Sequence, residues 1–129
     1  MKEKEKKRLN IIFSGKVIHG NNYGHKIGFP TINIDRRNFL KLKAKPKFGV
    51  YKGKVILGKK IYIAGIIIGP LDKKGLPKLE AHLIGYLGNA YSKKVTFEII
   101  KFIRKFKKFN TEKELIIQIK KDLKKLVPY

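Results

Sequence analysis

The stretch that decides the fold is GVYKGKVILGKKIYIAGIII, residues 49–68. Two segments rich in β-branched and aromatic residues, 49–57 and 61–68, flank Gly58, which is the pattern of two strands joined by a short turn. The second segment is the longest apolar run of the chain, yet a membrane-spanning helix needs about 20 such residues. The stretch therefore predicts an antiparallel hairpin and no membrane span.

Four further segments around this hairpin have the same strand character and are separated by Gly, Pro and Asn signals. They lie at residues 9–18, 30–34, 78–86 and 93–103. No helix is predicted between these six strands, whereas parallel pairing would need crossovers of about a dozen residues or more. We therefore expect a mainly β fold, a six-stranded antiparallel barrel without exposed sheet edges.

One helix is predicted, near the C-terminus. Thr111 followed three residues later by Glu114 matches a capping box. Apolar residues then recur at helical spacing, with lysines on the other face. The apolar stripe consists of Leu115, Ile119, Leu123 and Leu126. We expect this stripe to pack on the barrel, so that residues 9–129 form one domain after a charged, flexible N-terminus at residues 1–8.

The chain has 129 residues, no cysteine and a net charge of +23. Disulfides, thiolate metal sites and cysteine nucleophiles are therefore excluded. Most of the basic residues are lysine, whereas nucleic-acid readers favour arginine for base contacts. We expect nonspecific attraction to polyanions but no specific nucleic-acid binding. The chain begins without a secretory signal, and we expect a cytoplasmic monomer.

The segment after the first strand carries the first candidates for chemistry. Gly20, Gly24 and Gly28 make a loop whose backbone N–H groups could approach an anion, although turn glycines would give the same spacing. Thr31 and Asn33 share one face of a strand, and their neutral oxygens suit Mg²⁺ beside nucleotide phosphates. Ordinary polar side chains at the start of a strand are the alternative.

A second candidate lies in the fifth predicted strand. Glu80 and His82 alternate with apolar residues and therefore share the opposite face. In a chain with only 9 acidic residues, a carboxylate inside a strand is notable. A glutamate there could accept a proton from an alcohol at about 2.6–3.2 Å. A surface glutamate paired with a lysine is the alternative.

The segment before the helix alternates cations with aromatic residues. Arg104 and Lys107 stand beside Phe106 and Phe109. Such a combination can stack a flat ring and hold a phosphate. Aromatic anchors for the helix are an equally good interpretation.

Taken in order, these motifs resemble the ATP-using riboflavin kinases of bacteria and eukaryotes. The resemblance rests on Gly-Phe-Pro-Thr-x-Asn at residues 28–33 and on Glu-Ala-His at residues 80–82, within a match over residues 11–124. It implies a six-stranded Greek-key barrel with a C-terminal helix. It also implies a stand-alone kinase domain that converts riboflavin to FMN and makes no FAD.

The resemblance assigns roles to individual residues. Glu80 would be the base that accepts the proton of the riboflavin 5′-hydroxyl, and Thr31 and Asn33 would bind Mg²⁺. The residues at the ATP would be Gly20, Gly24, Lys26, Gly28 and Thr31. The residues at the flavin would be Tyr91, Arg104 and Lys107.

Several departures from the family pattern bear on function, at His25, at residues 67–71, at residues 89–92 and at Phe106. His25 stands where the family has arginine, and residues 89–92 read Asn-Ala-Tyr-Ser where the family has Asp-Leu-Tyr-Gly. The altered flap keeps open the hypothesis of a non-catalytic barrel that binds flavin or FMN. The charge keeps open a small basic barrel that binds nucleic acid. Formation of FMN from riboflavin and Mg-ATP distinguishes the kinase from both.

Overall fold

The computed structural model describes residues 8–20 and 23–127. Its strands are β1 (Ile11–Ile18), β2 (Ile32–Ile34), β3 (Gly49–Leu57), β4 (Lys60–Leu71), β5 (Pro77–Leu83) and β6 (Lys94–Lys105). They close into an antiparallel barrel with the order β1-β2-β5-β4-β3-β6. Three consecutive strands, β3 to β5, are followed by β6, which returns beside β3 and completes a Greek key. The predicted barrel is confirmed.

The central hairpin has the predicted turn. β3 and β4 pair continuously from Gly49 opposite Ile68 to Leu57 opposite Lys60. Gly58 closes the turn at φ +64°, a backbone conformation that glycine adopts without steric cost. β4 runs past its predicted end at residue 68, because its last residues still pair with the start of β5.

The core lies inside the barrel and follows the period of two expected of strands. In β5, Leu79, Ala81 and Leu83 are buried, whereas Glu80 and His82 between them are partly exposed. Large apolar side chains from the other strands complete the core, and burial of each contributes about 1.5–3 kcal/mol. Among them are Phe13, Ile34, Val55, Ile66, Phe97 and Ile99.

Two short helices lie where the sequence predicted only loops. They are α1 (Tyr23–Lys26) and α2 (Arg37–Leu40). α2 forms because Phe39 is buried and packs edge-on against the ring of Phe13, with centroids 5.3 Å apart. The predicted strand bounds also need correction, since β2 begins only at Ile32, and β5 ends at Leu83 before a turn at Gly85.

The third helix is α3 (Glu112–Lys124), and its predicted cap is confirmed: the Glu114 N–H donates to the Thr111 hydroxyl at 3.1 Å. The predicted apolar stripe packs tightly on the barrel only at Leu126, just after the last residue of α3. This side chain is 1% exposed and lies over Gly65. Within the described part of the chain no helix is long and apolar enough to cross a membrane. The stretch predicted to be a flexible N-terminus lies outside the described residues, except for Arg8.

The turn before β6 contains an exposed serine with a left-handed backbone. Ser92 has φ +69°, and its N–H donates to the Val17 carbonyl at 3.0 Å. This conformation costs an L-residue about 1–2 kcal/mol, part of which glycine recovers.

We expect Ser92→Gly to raise the free energy of unfolding by about 0.5–1 kcal/mol, because glycine removes the clash but adds freedom to the unfolded chain. Urea unfolding measures the change. Ser92→Ala is the matched control, since it keeps the β-carbon and should bring no gain. A glycine variant less stable than the wild-type chain would show that the left-handed backbone at this position carries no strain.

Candidate active site

The outer face of β2 and β5 brings together the predicted base Glu80 and the two predicted magnesium ligands, Thr31 and Asn33. Asn33 lies directly opposite Glu80 in the pairing of the two strands. Because Ile32 faces the core, its neighbours Thr31 and Asn33 point outward, on the face that carries Glu80. The residues that are distant in sequence therefore converge as the motif order predicted.

Two hydrogen bonds join the start of β2 to the outer side chains of β5. The Thr31 hydroxyl donates to Glu80 Oε1 at 2.8 Å. His82 Nδ1 lies 2.7 Å from the carbonyl oxygen of Pro30. The oxygen of a hydroxyl that donates one bond keeps lone pairs for a second partner. The Thr31 hydroxyl can therefore orient the Glu80 carboxylate and still offer its oxygen to a metal ion such as Mg²⁺.

A cavity of about 550 Å³ lies between α3 and the outer face of the barrel. We call it the apolar cavity. Its walls combine the stripe of α3 with side chains of the strands and of the segment before the helix. The apolar wall residues are Phe29, Val50, Ile67, Ile103, Phe106, Phe109, Leu115, Ile119, Leu123 and Leu126. Thr31 and His82 contribute polar groups.

An ion pair anchors α3 beside this cavity. The Arg104 guanidinium donates to both carboxylate oxygens of Asp122 at 2.8–3.0 Å, and Gln118 Nε2 donates to the same carboxylate at 3.0 Å. Arg104 and Lys107 both line the apolar cavity, and both approach the Phe109 ring, at 5.8 and 5.6 Å from its centroid. These two predicted flavin residues therefore lie together.

A second contact joins α3 to the segment before β2. Tyr23, the first residue of α1, donates its hydroxyl to Glu112 Oε1 at 3.2 Å. Both residues line the apolar cavity. The segment containing α1 therefore forms part of the cavity wall.

Glu80 and Asn33 line a second cavity, of about 720 Å³, which we call the basic cavity. Four cationic side chains contribute to it, against the two carboxylates of Asp72 and Glu80. The cationic residues are Arg36, Lys73, Lys74 and Lys78. Because Thr31 lines the apolar cavity and Glu80 the basic one, their hydrogen bond lies between the two cavities.

Asp72 organises the turn that carries two of these lysines. Its carboxylate accepts hydrogen bonds from the N–H groups of Leu76 and Lys74 and forms an ion pair with Arg36 at 3.0 Å. The Leu76 N–H, the Lys74 N–H and the Arg36 guanidinium together hold the pKa of Asp72 below its usual range. The turn therefore keeps a charged carboxylate that fixes Lys73 and Lys74 beside the cavity.

Of the four loop residues predicted to contact ATP, only Gly20 lines the basic cavity. It approaches Asn33 so closely that a side chain there would overlap the Asn33 amide. Gly24 and Lys26 lie in α1, and Gly28 ends that turn at φ +90°. Asn21 and Asn22, which join Gly20 to α1, lie outside the described residues.

Tyr91, the third predicted flavin residue, does not line the apolar cavity. Its ring packs on His19 with centroids 3.8 Å apart, and His19 lines the basic cavity. The pattern of residues 89–92 gave no sign of this stacking. The sequence also gave no way to distinguish Lys73, Lys74 and Lys78 from the other lysines, because only the turn at Asp72 brings them to the cavity.

The Arg104–Asp122 pair should stabilise the fold as well as shape the cavity. Their side chains are only 20% and 11% exposed, so removal of one charge leaves the other poorly solvated. We expect Asp122→Asn to lower the free energy of unfolding by about 1–3 kcal/mol, measured by urea unfolding. Gln118→Ala, which removes one neutral donor from the same carboxylate, should cost less. Equal losses in the two variants would argue against the ion pair.

Comparison with known proteins agrees with this architecture. The family model for riboflavin kinase (flavokinase) matches residues 8–128. A bifunctional riboflavin kinase/FMN adenylyltransferase from Buchnera aphidicola is 36% identical over 121 residues, which cover 90% of this chain and 38% of that protein. The chain therefore spans well under half the length of this curated relative.

Two solved structures have a similar fold. Riboflavin kinase from Trypanosoma brucei has a TM-score of 0.61 at 25% identity, over 89% of this chain and 76% of that one. A Streptococcus pneumoniae protein described as a macrolide-efflux protein has a TM-score of 0.81 at 26% identity, over 94% of this chain and 40% of that one. With the family match over nearly its whole length, the chain belongs to the riboflavin kinase family.

Proposed function

We propose that this chain transfers the γ-phosphoryl group of ATP to the 5′-hydroxyl of riboflavin and so produces FMN. The observation that carries the proposal is the hydrogen bond from Thr31 to Glu80 at 2.8 Å, which lies between an apolar cavity and a basic one. Such an arrangement suits a kinase whose alcohol substrate carries a flat aromatic ring, with one cavity for each substrate and a carboxylate between them.

The apolar cavity suits the isoalloxazine ring. Its volume of about 550 Å³ falls in the range of about 300–1,000 Å³ that is usual for small-molecule sites. The aromatic rings of Phe29, Phe106 and Phe109 offer flat contacts. A flavin bound there could direct its ribityl chain toward Thr31 and Glu80.

The basic cavity suits the triphosphate. Four cations against two carboxylates leave it net positive, which favours a polyanionic ligand. Asn33 and Gly20 form its wall next to Glu80. ATP bound there would present its γ-phosphoryl group to the hydroxyl held at the other side of the Thr31–Glu80 hydrogen bond.

The proposed reaction transfers the phosphoryl group directly from ATP to riboflavin, without a covalent enzyme intermediate. The riboflavin 5′-oxygen forms a bond to the γ-phosphorus while the bond from that phosphorus to the β,γ-bridging oxygen breaks. Glu80 accepts the hydroxyl proton, and ADP leaves. Phosphoryl transfer of this kind depends mainly on alignment and on neutralisation of oxygen charge.

The donor set beside Glu80 fits magnesium held jointly with phosphate. The described residues contain no group of three or more His, Cys, Asp or Glu side chains that could hold a metal alone. Thr31 Oγ1 and Asn33 Oδ1 are neutral oxygens on one face, and Mg²⁺ in nucleotide sites commonly uses few protein ligands, phosphates and water. Bound there, Mg²⁺ would neutralise phosphate charge.

We expect Glu80→Gln to lower kcat about 10²–10⁴-fold because the amide cannot accept the proton. Riboflavin affinity should be unchanged. FMN formation from riboflavin and Mg-ATP, followed by chromatography, gives kcat, and quenching of flavin fluorescence gives the Kd. Glu98→Gln, the same substitution on the outer face of β6, is the control and should retain activity.

The same assay tests the alternative of a non-catalytic flavin-binding barrel. Tight riboflavin binding by the wild-type chain with no FMN formed would favour that alternative. Wild-type activity in Glu80→Gln would exclude the proposed base.

Asn33→Leu should raise the KM for Mg-ATP by about tenfold. The leucine side chain has a similar volume but lacks the amide oxygen proposed to bind Mg²⁺ beside the phosphates. Riboflavin affinity should not change, since Asn33 lines the basic cavity and not the apolar one. Initial rates at fixed riboflavin and varied Mg-ATP measure the effect. Weaker riboflavin binding with an unaltered KM for Mg-ATP would reverse the assignment of the two cavities.

A further inference from the structure

His82 is a polar residue of the apolar cavity to which the proposed reaction gives no role. It lies two residues after Glu80 on the outer face of β5 and is half-buried. Its Nδ1 lies 2.7 Å from the Pro30 carbonyl oxygen. Since a carbonyl oxygen can only accept, Nδ1 carries the proton and donates it to this bond.

This hydrogen bond holds a segment that the sheet itself does not hold. β2 begins only at Ile32, so Pro30 and Thr31 precede the paired strand. Proline has no N–H to offer to a ladder. Two side chains of β5 bind the segment instead, His82 at the Pro30 carbonyl and Glu80 at the Thr31 hydroxyl.

The surroundings of the imidazole limit its freedom. The ring of Phe29 packs edge-on against it, with centroids 6.2 Å apart. Phe29 is also bonded back to α1, because its N–H donates to the Gly24 carbonyl at 2.8 Å. The imidazole is therefore held on one side by the loop and bonded on the other to the residue that precedes Thr31.

We propose that His82 is a positioning residue for phosphoryl transfer: its Nδ1–H fixes the Pro30 carbonyl and thereby keeps the Thr31 hydroxyl on Glu80. The inference rests on the proposed kinase function and deepens it. Loss of this bond releases the Pro30 carbonyl, so the orientation of the Glu80 carboxylate and the position of the Thr31 hydroxyl both become less fixed. The reacting groups lose alignment although Glu80 and Thr31 themselves are unchanged.

Asparagine and glutamine distinguish the two ring nitrogens. The Asn amide nitrogen occupies the position of Nδ1, whereas the Gln amide nitrogen corresponds to Nε2. We expect His82→Gln to lower kcat about tenfold, the effect of one well-placed hydrogen bond. His82→Asn should recover most of that loss. Equal activity of the two variants, or a more active Gln variant, would overturn the proposal.

A double-mutant cycle with Thr31→Val tests whether His82 acts through the Thr31 hydroxyl. In the valine background that hydroxyl is absent, so His82→Gln should produce almost no further loss of kcat. A purely structural role of His82 would instead lower activity by the same factor in both backgrounds. That additive result would overturn the positioning role.

Ring ¹⁵N chemical shifts give a readout that does not depend on turnover. The His82 imidazole of the full chain, assigned by the signal missing from His82→Asn, should carry a proton on Nδ1. The Nε2-protonated tautomer would overturn the inference even in an active kinase. Absence of FMN formation by the wild-type chain would instead overturn the proposed function, so the two failures are distinguishable.

Discussion

The register between β2 and β5 is the constraint on which the site depends. Asn33 opposite Glu80 follows from the same pairing that buries Ile32 and Ile34. A shift by one residue would expose both isoleucines and turn the polar side chains inward, so core burial enforces the register. The hydrophobic effect thus fixes the polar site, although the polar residues contribute little to that burial.

The second determinant is that the apolar face of α3 is packed tightly on the barrel only near one end. Leu126 is buried over the barrel, and Asp122 binds Arg104 of β6. Toward the N-terminus of the helix, Leu115 and Ile119 line the apolar cavity instead of packing on the barrel. An apolar stripe that is tightly packed only near one end leaves a cavity with apolar walls beside the polar face of β2 and β5. The same helix therefore contributes to stability and to the proposed flavin site.

The sequence predicted those features that are local or that follow a strict period. The bounds of β3, the turn at Gly58 and the Thr111 cap depend on neighbouring residues, and all three are confirmed. α2 was missed because its reason for forming, burial of Phe39 against Phe13, is a tertiary contact. The convergence of Thr31, Asn33 and Glu80 was predicted from the order of the motifs. The basic cavity was not predicted, because the turn that carries Lys73 and Lys74 looks like many other lysine-rich segments of this chain. Tyr91 was assigned to the flavin by resemblance, and that role stays a prediction; the stacking of its ring on His19 has no local signature in the sequence.

The proposed phosphoryl transfer requires Glu80 to lie between two substrates that occupy different cavities. A crystal structure with riboflavin and Mg-ADP tests this most directly. We predict the isoalloxazine ring against α3, the phosphates among the lysines of the basic cavity, and the riboflavin 5′-oxygen about 2.6–3.2 Å from the Glu80 carboxylate. Both ligands in one cavity, or a 5′-hydroxyl remote from Glu80, would contradict the proposed placement of the base.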